Sequence, residues 1–260
     1  MIPRSAFRLA LPALLAAALA APARAEIVDQ GTFKLAIGQH PLGVEAFVYE
    51  SAQDSLVVRA RQRLVVPPRG DTLEKDADVL VGGTNFALRG YQSNRIFHGR
   101  KIVRALVLAD THYVAYREGE GTVSTGDSYV LPPGRLYVMD SQVMTLFDLI
   151  CRSLHDERFE RRPINLLALG PVDTMLEAAV VSKGSETIRW GGKPVVARKL
   201  DIVADSRTTF TAWTGRDGRL LRLTEPVSGL LVTREPPPVK RRTTPAPRPM
   251  SVSRRPKPGG

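Results

Sequence analysis

Apolar and polar residues alternate along most of the chain, which places every second side chain on one face of a β-strand. The clearest run is SLVVRARQRLVV at residues 55–66, where aliphatic residues oppose Arg59, Arg61 and Arg63. Other such runs are TFKLAIG, GVEAFVYES, KIVRALVLAD and THYVAYREGE in the first half, and MLEAAVVSKG, ETIRW, PVVARKLDIVA, TTFTAWTG, RLLRLTE and GLLVTRE in the second. Short strands joined by tight turns predict an antiparallel meander, not a parallel sheet with crossover helices.

Two stretches are interpreted as connections between these strands. Glycine and asparagine mark an interval before residue 101, in which Asp76 and Asp78 are expected in a solvated turn that precedes a strand. Residues 158–163 are expected to form a charged loop.

One segment, DSQVMTLFDLICRSLH at residues 140–155, has the spacing of an amphipathic helix. Its apolar stripe is Val143, Phe147, Ile150 and Leu154, widened by Met144 and Cys151. Asp140 or Ser141 is the expected N-cap, and Asp148 and Arg152 are expected to face solvent. The fold predicted for residues 26–234 is a single mostly β domain: a curled antiparallel meander sheet or partly open barrel, with this helix packed on or in its concave face.

The first 25 residues have the three parts of a secretory signal peptide. Arg4 and Arg8 precede an apolar run from Leu9 to Ala21, and Ala23-Arg24-Ala25 forms an A-x-A cleavage site. The run is shorter than the roughly 20 residues that a transmembrane helix needs. No cysteine follows the cleavage site, so a lipid anchor there is excluded. We expect a periplasmic or secreted protein without a transmembrane anchor.

Residues 235–260 are predicted to be a disordered, basic, proline-rich tail, because they lack the apolar residues needed to fold. The formal net charge of +11 includes +3 from the signal segment and +7 from residue 234 onward, which leaves +1 for residues 26–233. A nearly neutral body argues against nucleic acid as the partner. The expected partner of the tail is an anionic envelope surface or polymer, bound through Lys240, Arg241, Arg242, Arg248, Arg254, Arg255 and Lys257.

The sequence shows no motif of an active site, so no catalytic residue, metal ligand or cofactor is predicted. It contains no G-x-S-x-G, and Gly191-Gly192-Lys193 is interpreted as a hairpin turn. The histidines, His40, His98, His112 and His155, are scattered. Cys151, the only cysteine, is interpreted as a buried helical residue, and His155 is the only nearby base that could activate it.

Binding is the function class that remains best supported. A curled sheet can hold a small apolar ligand where side chains do not fill its concave face. The residues expected to line such a groove are Phe47, Tyr49, Tyr113, Phe147, Ile150, Phe210 and Trp213, although for any single aromatic among them an ordinary core position is the favoured interpretation. A hydrolase-type enzyme with a site assembled from scattered Asp, His and Arg residues, or a structural envelope factor that binds another protein, are the alternatives.

The layout also resembles known families. It combines a G-x-F-x-L-x-x-G strand at residues 31–38, the helix led by Asp140, and the closing runs WGGKPVVARKLDI and FTAWTGRDGRLLRL. Over roughly residues 30–234 the chain resembles exported, uncharacterised β-rich bacterial families of the DUF3108 and DUF6134 kind. The resemblance implies a hydrophobic groove, like that of the periplasmic lipoprotein carriers with which these families are compared. It implies no catalytic residues.

Overall fold

The computed structural model describes residues 25–119, 125–130, 132–140, 143–170, 172–205 and 208–238. The predicted signal segment up to residue 24 and the cationic residues of the tail therefore lie outside the described residues. The described strands are β1 (Glu26–Ile37), β2 (His40–Ala52), β3 (Ser55–Val66), β4 (Asp71–Gly82), β5 (Leu88–Phe97), β6 (Arg100–Ala109), β7 (His112–Gly119), β8 (Thr125–Val130), β9 (Leu136–Asp140), β10 (Arg161–Leu169), β11 (Thr174–Trp190), β12 (Lys193–Val203), β13 (Thr209–Thr214), β14 (Leu220–Glu225) and β15 (Leu230–Arg234). The described helix, α1, spans Met144–Ser153 between β9 and β10.

All of the described strands belong to one curled sheet. Strands β1 to β8 pair in sequence order, as do β9 to β15, and β1 pairs with β15 to join the two halves. The order runs from β8 at one edge through β1 and β15 to β9 at the other, so hydrogen bonds do not close the sheet into a barrel. The predicted mostly β meander with one helix is confirmed.

The prediction of a purely antiparallel sheet is wrong for one pairing among the described strands. Strands β9 and β10 pair in parallel, from Leu136 opposite Asn165 to Asp140 opposite Leu169. Parallel neighbours need a crossover connection, and α1 provides it.

Three local predictions also need correction. The interval before residue 101 contains β4 and β5, and Asp76 and Asp78 lie within β4, not in a turn. The expected charged loop at residues 158–163 already includes the start of β10. The runs MLEAAVVSKG and ETIRW form one strand, β11, with an irregularity between Ser182 and Ser185.

Side-chain contacts hold the edge strand β9 against the inner face of the sheet. The Asp140 carboxylate pairs with the buried Lys75 ammonium of β4, and it accepts a hydrogen bond of 2.5 Å from the Tyr91 hydroxyl of β5. Burial lowers the pKa of Lys75, and the charge of Asp140 opposes that shift. On β6, Arg104 lies 2.7 Å from Asp173, which follows β10. These contacts complete the curl that backbone pairing leaves open.

The curled sheet encloses the main hydrophobic core on its inner face. Helix α1 lies there, and nearly all of its side chains are buried. A separate small cluster consists of Ile188, Ala197, Trp213 and Leu221, and it lies on the other face of the sheet because its members alternate with core residues such as Ala212 and Leu220. The described part of the chain contains no helix with the length and apolar character needed to cross a bilayer.

Candidate ligand-binding groove

An apolar groove of about 450 Å³ opens at the start of α1. Its walls come from the end of β9, the first two turns of α1, the end of β10 and the facing ends of β13 to β15. The apolar side chains that line it include Met139, Met144, Phe147, Leu169, Phe210 and Leu230. Grooves of this size and lining are typical of small-ligand sites.

The side chains of the groove combine a fixed aromatic pair with adaptable methionines. The Phe147 and Phe210 rings lie 4.6 Å apart between centroids, at a tilt of 51°. Met139 and Met144 border the same space, and methionine side chains adjust to irregular apolar shapes more readily than branched ones. Among the lining residues that the structure describes, Glu225 is the only charged one, and its carboxylate accepts hydrogen bonds from the backbone of its own turn. The groove therefore favours an apolar occupant.

Helix α1 is held at its start by a carboxylate from the sheet. The buried Glu45 of β2 accepts hydrogen bonds from the backbone N–H groups of Met144 and Thr145, at 2.8 and 2.7 Å, and from the Thr145 hydroxyl. Gln62 donates a further bond of 3.2 Å. Burial raises the pKa of Glu45 to about 7, against the opposing effect of these donors.

The predicted N-cap is therefore wrong. The N-cap residue is Val143, whose side chain makes no capping hydrogen bond. Instead, Glu45 of β2 accepts hydrogen bonds from the free N–H groups at the start of the helix. Asp140 instead lies at the end of β9 in its ion pair with Lys75. Ser141 lies outside the described residues.

The expectation that Asp148 and Arg152 face solvent is also wrong. Asp148 is fully buried, and it accepts hydrogen bonds from the Tyr49 hydroxyl at 2.6 Å and the Leu220 N–H at 2.6 Å. Arg152 pairs with Asp148 at 2.7 Å, lies over the Tyr49 ring, and also pairs with Asp29 of β1. The polar side of α1 thus faces β1, β2 and β14, where it binds Asp29, the Tyr49 hydroxyl and the Leu220 N–H.

Six of the seven predicted lining residues join the main core, but only two of them line the groove. These two are Phe147 and Phe210. Phe47 stacks on Phe33 with 4.8 Å between centroids, and Tyr49 binds Asp148. The remaining core members are Tyr113, which donates to the Leu88 carbonyl, and Ile150 of α1. Trp213 lies in the small cluster on the other face.

The sequence reasoning missed most of the groove's other walls. Met139 and Met144 were not linked to a site, and neither were Leu169 and Leu230. The sequence pattern indicated the helical stripe that includes Met144. The other residues that complete the groove come from β10 and β15, and the positions of these strands depend on the sheet order, which the pattern does not give.

A larger cleft of about 900 Å³ lies between β1 to β3 on one side and, on the other, Trp190 of β11, Val195 of β12 and the turn between β13 and β14. Its lining is much more charged than that of the groove, with Arg59, Arg219 and Arg234 among several carboxylates. Most of these groups already pair with one another. Asp29 receives Arg234 at 2.8 Å, and this pairing, together with that of Arg152, holds the pKa of Asp29 down although burial alone would raise it. Residues 235–238, at the start of the predicted tail, form part of the cleft wall.

The described residues do not bring reactive groups into a catalytic arrangement around Cys151. This thiol is buried, and burial together with the nearby Asp148 raises its pKa, so it stays protonated at neutral pH. The ring of His155 contacts the Arg152 carbonyl at 2.8 Å and Asp156 at 3.1 Å. Within the described ranges, no three His, Cys, Asp or Glu side chains are grouped so that they could hold a metal ion.

No family model and no curated protein sequence matches the chain. Its fold is similar to the crystal structure of the β-barrel-like protein of the domain of unknown function DUF1849 from Brucella abortus, with a TM-score of 0.53 and 7% identity over 79% of this chain and 94% of that one. A DUF1089 family protein from Pseudomonas aeruginosa matches with a TM-score of 0.45 and 10% identity over 68% of this chain and 87% of that one. Only the first likeness is close enough to bear on the fold, and at this identity it shows the fold alone. The chain thus shares the architecture of a β-barrel-like domain of unknown function.

Proposed function

We propose that the protein is an exported, non-enzymatic component of the cell envelope that binds a lipid-like or other apolar ligand in the groove at the start of α1. The observation that carries this proposal is the groove itself: about 450 Å³ of space lined mainly by apolar side chains, among them the contacting rings of Phe147 and Phe210. Burying an apolar molecule there removes the apolar surfaces of the ligand and of the groove from water, which stabilises the complex.

The proposal includes export and a role for the tail. The signal-like segment at residues 1–25 would direct the chain to the periplasm or the exterior. There the basic tail would hold the body near anionic lipid or polymer. On the same proposal the chain is a distant relative of the DUF3108 and DUF6134 families, which it resembles over its β-rich part.

Binding of a fluorescent fatty acid in vesicle-free solution tests the groove. Phe210→Ala removes one of the two contacting rings, and we expect it to weaken binding by about 1–3 kcal/mol, the scale of one buried aromatic side chain. Ala168→Trp fills the groove from β10 and should abolish binding, because Ala168 is part of the lining.

Trp213→Ala is the matched control, since Trp213 lies on the same strand but in the cluster on the opposite face. It should leave the affinity unchanged. If a folded wild-type sample binds no fatty acid or phospholipid, or if Trp213→Ala weakens binding as much as Phe210→Ala, the groove is not the site.

A further inference from the structure

Two strongly exposed valines stand at the mouth of the groove. Val172 is 79% exposed and Val227 is 84% exposed, and both belong to the groove lining. They are the two most exposed large hydrophobic residues in the described part of the chain. Single exposed aliphatic residues are ordinary on protein surfaces. Two such strongly exposed valines beside one apolar groove need a physical explanation.

The turns that present these valines are held firmly by hydrogen bonds. The Glu225 carboxylate accepts the N–H groups of Val227 and Ser228, at 2.8 and 2.7 Å. Asp173 accepts the N–H of Gly170 at 3.1 Å and pairs with Arg104. Hydrogen bonds therefore fix described residues beside both valines, and the Glu225 and Asp173 carboxylates are occupied by these bonds.

A third aliphatic residue extends the same edge. The Gly38 N–H donates to the Gly229 carbonyl at 2.9 Å, which brings the turn after β1 against the turn after β14. Ile37, beside that contact, is 39% exposed. The side chains of residues 226–229 and of Gly38 and Gln39 carry no charge. We call Ile37, Val172 and Val227 the rim.

We propose that the rim docks on the surface of a lipid bilayer, so that an apolar ligand passes between the bilayer and the groove without crossing water. This inference rests on the proposed function and names where the ligand is exchanged. Val172 and Val227 belong to both the rim and the groove lining, and this continuity favours the proposal, because a ligand that avoids water needs an apolar path at the opening. A protein partner is less well matched, since the residues that dominate protein interfaces are Trp, Tyr and Arg, whereas valine is under-represented.

Partition onto neutral phosphatidylcholine vesicles at high salt tests the rim, because these conditions suppress any attraction of the basic tail. The protein without the predicted signal segment, residues 1–25, should bind these vesicles weakly and reversibly. The double substitution Val172→Asp/Val227→Asp should reduce partition at least tenfold, because a charged side chain resists transfer into the interface. Val65→Asp/Val196→Asp, at two exposed valines away from the groove, should change partition less than twofold.

Fatty acid binding without vesicles is measured on the same variants, and it separates the two proposals. If the rim variant keeps solution binding but loses partition, the docking surface is supported. If the wild type partitions and the rim variant does not, yet neither binds fatty acid, docking stands and the proposed function falls. If the rim variant partitions like the wild type, or the wild type does not partition at all, the inference is overturned.

A second measurement keeps the test decisive if the aspartate variant fails to fold. Cys151 is the only cysteine and is buried, so Val227→Cys can be labelled selectively with an environment-sensitive dye. Its emission should shift to the blue on neutral vesicles, whereas Val65→Cys should show no shift. A shift that appears with rising protein concentration in the absence of lipid would assign the rim to a second copy of the chain and overturn the inference.

Discussion

Two buried carboxylates hold α1 against the sheet by its backbone as well as by its side chains. Glu45 binds the N–H groups at the start of the helix, where the positive end of the helix dipole favours a negative charge. Asp148 lies on the helix itself and receives the Leu220 N–H from β14. Phe147, which lines the groove, is thereby fixed between two anchored points.

The titration of Glu45 gives a prediction at this scale. Burial raises its pKa from the ordinary 4.5 to about 7, so the folded state holds a proton that the unfolded state has lost. The stabilising effect is complete below about pH 4.5 and is lost as the pH rises to about 7. A shift of this size corresponds to about 3 kcal/mol.

Urea unfolding of the wild type and of Glu45→Gln at several pH values measures this effect. The difference in free energy of unfolding, wild type minus variant, should fall between pH 4.5 and 7, because glutamine does not titrate. A constant offset from the altered hydrogen bonds does not affect the slope. Parallel curves over this range would mean that Glu45 is ionised throughout and would contradict the prediction.

Single residues differ in how far the sequence could place them. Phe210 and Trp213 are three apart in one strand, so strand geometry alone puts them on opposite faces, and only one of them can line an inner groove. Asp148 could not be placed in this way. Its partners Tyr49 and Leu220 are 99 and 72 residues away in the sequence, and without them a carboxylate on a helix is expected in water.

At the scale of elements, α1 acts as an anchored wall of the groove and not as a hinged lid. Its polar contacts reach β1, β2 and β14. These partners are far from the helix in the sequence, so the helix sequence alone does not reveal them. An opening motion would have to expose Asp148 and Arg152 together with the apolar side chains. The free-energy cost of separating these groups keeps the helix in place.

Asp148→Asn tests this anchoring. The substitution keeps the shape of the side chain but removes the charge that pairs with Arg152, and we expect a loss of about 3 kcal/mol in the free energy of unfolding. Asp217→Asn is the control, because Asp217 pairs with Arg219 at a largely exposed site. That change should stay below about 0.5 kcal/mol. Equal losses for the two variants in urea titrations would show that the buried pair does not anchor α1.

The strands were predictable where alternation is regular and were missed where a buried polar group interrupts it. On β4 the inward positions include Lys75 between Leu73 and Ala77, and its positive charge pairs with Asp140 on a distant strand. The parallel pairing of β9 with β10 likewise depends on the crossover of α1, which local patterns do not reveal.

At the scale of the whole molecule, the proposed membrane contacts lie at different ends of the last strand. The turn that carries Val227 of the rim precedes β15, and the tail follows β15. Residues 235–238 still contact the body, since the Glu235 N–H donates to the Thr32 carbonyl and its carboxylate pairs with Lys34 at 2.7 Å. Rim and tail can therefore be tested separately.

Removing residues 239–260 tests the tail while sparing those contacts. Each Lys or Arg near an anionic surface contributes about 1 kcal/mol, an attraction that fades within a Debye length of about 8 Å. We expect the deletion to leave the unfolding transition unchanged and to reduce co-sedimentation with anionic vesicles to the weak level that the rim alone gives on neutral vesicles. Wild-type binding should fall steeply with salt.

A full-length variant in which the seven basic residues of the tail are replaced by glutamine separates charge from chain length. It should behave like the deletion. Binding of this variant or of the deletion at wild-type strength, or wild-type binding that ignores salt, would leave the tail without a tethering role.

The most direct test of the account is native mass spectrometry of the protein isolated from its own cell envelope. We predict a bound apolar molecule of lipid-like mass on the wild type and on Trp213→Ala, because the groove is intact in both. The molecule should be absent from Ala168→Trp, in which the groove is filled. A wild-type protein without any bound molecule, or a ligand that Ala168→Trp retains, would contradict the claim that the groove at the start of α1 binds an apolar ligand.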